Sequence, residues 1–113
     1  MTGQPMTTDQ VEVLRRLALK DREAMDLLMT GELLKSGSLD ARTVALVRIT
    51  VLLSVDSDIT TFQWATEIGL AAGLNDGDVF DALVVAAPMI GMARLGAALP
   101  RLMAALKLEI IEG

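Results

Sequence analysis

Apolar residues recur along this 113-residue chain at steps of three and four, and each run of them follows a residue type that caps helices. Thr7, Thr8 and Asp9 precede Val11, Leu14 and Leu17, which predicts a first helix reaching about Lys20. Asp21 opens a second, with Met25, Leu28, Met29 and Leu33 as its stripe to about Leu34 and Gly31 as a weak point or local break. After Ser36, Gly37 and Ser38, Asp40 opens a third helix. Its Val44, Leu46, Val47, Ile49, Val51, Leu52, Leu53 and Val55 point all round the axis, so burial on every side is expected. β-Branched residues are frequent here, but a span of about 15 residues without Gly or Pro favours helix over strand. Asp56, Ser57 and Asp58 break the run and cap a fourth helix, with Ile59, Phe62, Ala65, Ile68 and Ala72 on one face and Gly73 at its end. Asn75 and Asp78 have capping-box spacing, which starts a fifth helix at Asp76 that runs to about Ala87. Pro88 and Gly91 mark the turn into a sixth, where Met92, Leu95, Leu99, Leu102 and Leu106 form a seam bent by Pro100. The pattern predicts an all-α fold of about six helices in a single domain spanning 1–113.

Composition adds an expectation of self-association. Hydrophobic residues make up 52% of the chain before glycine is counted, against ~45–50% with glycine in soluble domains. A domain of this size buries only about two-thirds of the surface its unfolded chain exposes, so the excess is expected to lie on a face that another copy covers. The longest uncharged run, Ala82 to Ala93, contains Pro88 and falls short of the roughly 18 residues that span a bilayer. No membrane partner is expected. Met1 to Gln10 is polar and lacks the basic start and apolar stretch of a signal peptide, so cytoplasmic residence is the default.

Charge and residue usage then remove whole classes of chemistry. The chain contains no Cys and no His, which excludes disulfides, thiolate nucleophiles, imidazole acid–base catalysis and thiolate or imidazole metal sites. Neither a metal nor a cofactor is expected. Net charge is −5, with no Lys or Arg between Arg48 and Arg94, while Asp56, Asp58, Glu67, Asp76, Asp78 and Asp81 all fall in that interval. Phosphate binding needs clustered cations, and Arg15, Arg16, Lys20 and Arg22 read as the solvated side of a helix. Nucleic acid is not an expected partner.

Two stretches, SGSLDARTVALVRITVLL and FQWATEIGLAAGLNDGDVFDALVVAAPMIGMARLGAAL, resemble the carboxymuconolactone decarboxylase family, which includes the alkylhydroperoxidase D-like proteins. The similarity covers Gly37 to about Leu106. Its strongest elements are Leu39, Asp40, Arg42 and Thr43 at the opening of the third helix and the AAGLNDGDV turn. The resemblance implies an all-helical homo-oligomer, a trimer or hexamer. It also implies, for the peroxidase branch, a Cys-x-x-Cys at the start of helix four, a His one turn on and a Glu in helix three. Counting forward from Leu39 puts these thiols on Ser57 and Thr60 and the His on Trp64; counting back from Gly73 puts them on Asp58, Thr61 and Ala65. The Glu position falls on Ala45 or Leu46. Both registers lack the reactive groups, and the decarboxylase branch relies on a His as well.

The remaining candidates are carboxylates, arginines and a tryptophan. Asp58, with Asp56 beside it, and Glu67 further along helix four are the candidate catalytic residues, because a carboxylate pair can divide acid and base roles. Capping is the stronger reading of Asp58. The NDGDVFD stretch is not an EF-hand calcium loop, since the position for its final Glu holds Ala87. Arg48 and Arg94 stand among apolar helical neighbours, so each must bind an anionic ligand or pair with an acid, across a subunit boundary or with Asp56, Asp58 or Glu67. Arg48 and Trp64 are the candidate ligand-binding residues, with an acid pair favoured for Arg48 and interface burial for Trp64. These residues suggest an oligomeric protein without peroxidase activity that binds a small apolar or weakly anionic molecule or serves as an accessory subunit. The alternative is a diverged decarboxylase or isomerase acting on a small organic acid or lactone through carboxylates and Arg48.

Overall fold

Five helix starts are fixed by side chains that accept from backbone N–H groups otherwise left without partners. In the computed structural model, which describes residues 5–55 and 57–108 with Ser36 as backbone only, Thr7 caps α1 (Thr8–Ala18) and Asp21 caps α2 (Arg22–Met29). Asp40 caps α3 (Ala41–Ser54), Asp58 caps α4 (Ile59–Ala71) and Asn75 caps α5 (Asp76–Ile90). α6 (Met92–Ala105) follows Gly91, whose φ of +87° is accessible to glycine and strained for other residues. A 3₁₀ turn, Glu32–Ser36, follows the break at Gly31. No strand occurs among the described residues, and none of their helices is long and apolar enough to cross a membrane.

The chain divides into two compact units, Met1–Ser38 and Leu39–Gly113. In the first, α1 packs on α2 and α2 on the 3₁₀ turn. Arg16 joins them by donating to Asp21 at 2.6 Å and Glu23 at 3.4 Å. α1 buries none of its residues, and Val11, Leu14, Leu28 and Met29 stay exposed.

In the second unit α3 is the central element and packs against α4, α5 and α6, while α4 also packs on α6. The core joins Ala45, Ile49 and Leu53 of α3 to Phe62 and Ala65 of α4, Val79 of α5, and Leu95, Ala98, Leu102 and Ala105 of α6, with Leu74 from the α4–α5 turn. Four expectations are corrected here. α3 is not buried all round: Val47 and Val51 are each 51% exposed, because three neighbouring helices cover only part of its circumference. The buried face of α4 is Phe62, Ala65, Thr66 and Gly69, and Ile59, in the first turn, is left outside. α5 continues through Pro88 to Ile90, since the proline falls in its last turn and the ladder closes beyond it with Gly91 N–H donating to Ala87 O at 2.9 Å. The α6 seam likewise buries alanines where the sequence suggested Met92, which is exposed.

Candidate functional site

The start of α4, where the resemblance puts a pair of thiols, is occupied by hydroxyls and a carboxylate that bond locally. Asp58 Oδ1 accepts from Thr61 N–H and from the Thr61 hydroxyl, both at 2.8 Å. The backbone N–H of Thr61 first, then its hydroxyl and the nearby Arg101 charge, hold the Asp58 carboxyl below the usual range. An acid so stabilised as its anion is a poor proton donor near neutral pH. Ser57 Oγ donates to Leu52 O at 3.3 Å. Asp56 lies outside the described residues.

Glu67 is exposed and lines a cavity of about 290 Å³ with Gln63, Thr66, Leu70, Asp76 and Lys107. Asp58 lines a different one with Ser57, Ile59, Thr60 and Arg101. The structure therefore does not gather the two candidate carboxylates into one acid–base pair. The Thr66 hydroxyl is buried and has no hydrogen-bond partner among the described residues. No group of three carboxylates placed to hold a metal ion occurs among them either. Asp78 is instead shared between the Asn75 cap and Arg42.

Arg48 and Trp64 do come together. The guanidinium carbon of Arg48 lies 6.0 Å from the centre of the Trp64 ring, a cation–π contact between two exposed side chains on α3 and α4. Within the chain, then, Arg48 meets an aromatic face where the sequence favoured a carboxylate. Spacing along one helix could not reveal this, because the contact depends on the relative rotation of two helices.

Arg94 and Arg101 of α6 reach across to the end of α3 and to the α3–α4 connection. Arg94 donates to Ser54 O at 3.0 Å and Arg101 to Ser57 O at 2.7 Å. The sequence reading assigns Arg94 an anionic ligand or an acid as its partner; within the chain it meets a backbone carbonyl. Arg101 was missed, although its position seven residues beyond Arg94, two helical turns on, was a readable signal that both share a face. Beside them a cavity of about 490 Å³ opens between α3 and α6, with Leu53, Val55, Ala93 and Ala97 in its wall. A second cavity of about 500 Å³ lies between α3 and α5, walled by Leu46, Val47, Val51, Ala82 and Val85 with Asp78 and Asp81 at its edge. Arg48 and Trp64 line neither of these two.

The family model of the carboxymuconolactone decarboxylase family matches residues 13–105. No curated protein and no solved structure matches.

Proposed function

The chain belongs to the carboxymuconolactone decarboxylase family, and from that premise we propose that it acts as an oligomeric member that binds a small molecule, or serves as an accessory subunit, without thiol redox chemistry. The observation that carries this reading is the start of α4. Ser57 and Thr61 spend their hydroxyls on Leu52 O and Asp58, and a serine or threonine becomes a nucleophile only beside a base, for which the chain has no imidazole. The Glu position of the peroxidase branch is likewise apolar: Ala45 is buried in the core and Leu46 walls the α3–α5 cavity.

Self-association is supported by the outer face of α5. Phe80, Val84, Val85 and Met89 are all exposed there, Val85 by 79% and Met89 by 88%, with Phe80 and Val84 on one side of the exposed Asp81 and Val85 and Met89 on the other. Val47 and Val51 of α3 border the same apolar cavity as Val85. Apolar surface of this kind on a small unit calls for a partner, and a second copy of the chain supplies matching surface. A trimer or hexamer fits the family.

The ligand in this reading is a small apolar or weakly anionic molecule held in a cavity beside α3. The test has two arms on the purified full chain. With hydrogen peroxide and a dithiol reductant, peroxide consumption stays at the buffer rate; sustained turnover without a bound cofactor would overturn the non-thiol reading. In a thermal-shift screen of small organic acids, amides and hydrocarbons, at least one compound raises Tm saturably.

A further inference from the structure

We propose that the cavity between α3 and α6 receives the carboxylate of a small amphiphilic acid, with Arg94 as the charge that recognises it. This deepens the small-molecule reading above by assigning the ligand's class and place. Arg94 is exposed, and it donates to one neutral acceptor, Ser54 O, at 3.0 Å. It makes no ion pair among the described residues. A guanidinium carries five N–H donors in a planar fork suited to a carboxylate, so its charge and most of its donors are left for a ligand. Arg101 forms a second polar edge, anchored on Ser57 O at 2.7 Å.

Between the two arginines the wall is apolar. Ala93, Ala97 and Ala98 take up little room on α6, and Leu53 and Val55 close the opposite side. The volume of about 490 Å³ falls within the ~300–1,000 Å³ of small-molecule sites. A cationic edge over an apolar floor selects a molecule with an anionic head and a short apolar body. The α3–α5 cavity is lined by Asp81 and by Asp78, whose charge Arg42 offsets, and has no cation among its lining residues to receive the same molecule. The hydrogen bonds to Ser54 O and Ser57 O also hold the guanidinium groups in place before a ligand arrives, which lowers the ordering cost of binding.

The test is a methyl NMR titration of the full chain with hexanoate and, separately, with hexanamide. Hexanoate shifts the Leu53, Val55 and Ala97 methyls saturably, and hexanamide binds there at least about tenfold more weakly. Arg94→Gln weakens hexanoate by a similar factor while leaving the remaining methyl spectrum in place. Ala97→Leu fills the floor and removes binding with both guanidinium groups retained, so the inference stays testable if Arg94→Gln folds poorly. Equal binding of acid and amide would overturn the assigned class. Hexanoate binding confined to Val47 and Val85 and unaffected by Arg94→Gln would overturn the site and leave the small-molecule reading standing. No saturable shift with either compound would overturn the site, and a thermal-shift screen that also found no ligand would remove the broader reading.

Discussion

Arg42 and Asp78 join the two segments by which the chain resembles its family: the Arg42 guanidinium lies 2.5 Å from Asp78 Oδ1. The other oxygen of the same carboxylate accepts the Asn75 N–H at 3.0 Å. One side chain thus closes the capping box of α5 and ties that helix start to the first turn of α3. The turn and the helix opening act as a single structural unit, which is why both read as features of the fold and neither as reactive chemistry.

Acid stability should report this carboxylate. The Asn75 N–H first, and Arg42 second, hold Asp78 below the usual carboxylate range. Its stabilisation is therefore complete above the unfolded value of ~3.9 and is lost as pH falls through the lower folded value. Asp78→Asn should reduce Tm by a few degrees at pH 7 and flatten the acid limb of a Tm-against-pH curve measured by calorimetry. A variant whose acid limb matches the parent would refute the role of the pair.

Two phenylalanines separate folding from assembly. Phe62 is fully buried in the core, whereas Phe80 on α5 is 62% exposed. Phe62→Ala should cost about 3–5 kcal/mol of unfolding free energy by denaturant titration, the usual range for emptying a packed aromatic site. Phe80→Ala should leave the isolated unit nearly as stable and weaken self-association. Equal effects on stability would show that Phe80 is a folding residue after all.

Two glycines should respond in opposite directions. Gly73 ends α4 at φ +96°, where a side chain strains the backbone, and Gly73→Ala should destabilise by about 1–2 kcal/mol. Gly96 lies inside α6 with open space at its Cβ position. Gly96→Ala should stabilise by roughly 0.5–1 kcal/mol through helix propensity. Thermal unfolding of the two variants at a concentration where association is constant checks both signs.

Arg48→Met probes the contact with Trp64. An exposed cation–π pair contributes roughly 0.5–1 kcal/mol, so the variant should lose no more than that and keep its fold. Trp64 is the chain's one tryptophan, and its emission should change with the cation removed. A loss several times larger would mean that Arg48 pairs with an acid on another copy, leaving that carboxylate stranded.

What could be read from the sequence was whatever a few consecutive residues determine. Thr7, Asp21, Asp40, Asp58 and Asn75 were recognisable as caps because each needs only a polar side chain three residues before the N–H it accepts. The break at Gly31 followed for the same reason. Pro88 misled because a proline in a last turn removes one hydrogen bond without ending the helix. The rotation of α4 about its axis was missed because Thr66 and Gly69, which face the core, carry no hydrophobic signal. The site was less legible than the fold, since Arg48 on Trp64 and the α6 arginines on the end of α3 and the α3–α4 connection are contacts between helices. Asp58 and Glu67 stand about two to three turns apart along α4 and line separate cavities.

The most direct test of the account is the mass of the full chain in solution, because the exposed apolar residues on the outer face of α5 are the ground on which self-association is proposed. Sedimentation velocity at micromolar concentration should give three or six times the 12.1 kDa of one chain. Val85→Glu and Met89→Glu, each placing a charge on that face, should shift the distribution toward the single chain without unfolding it. A parent protein that sediments as one 12.1 kDa species would contradict the account, as would an oligomer indifferent to both substitutions.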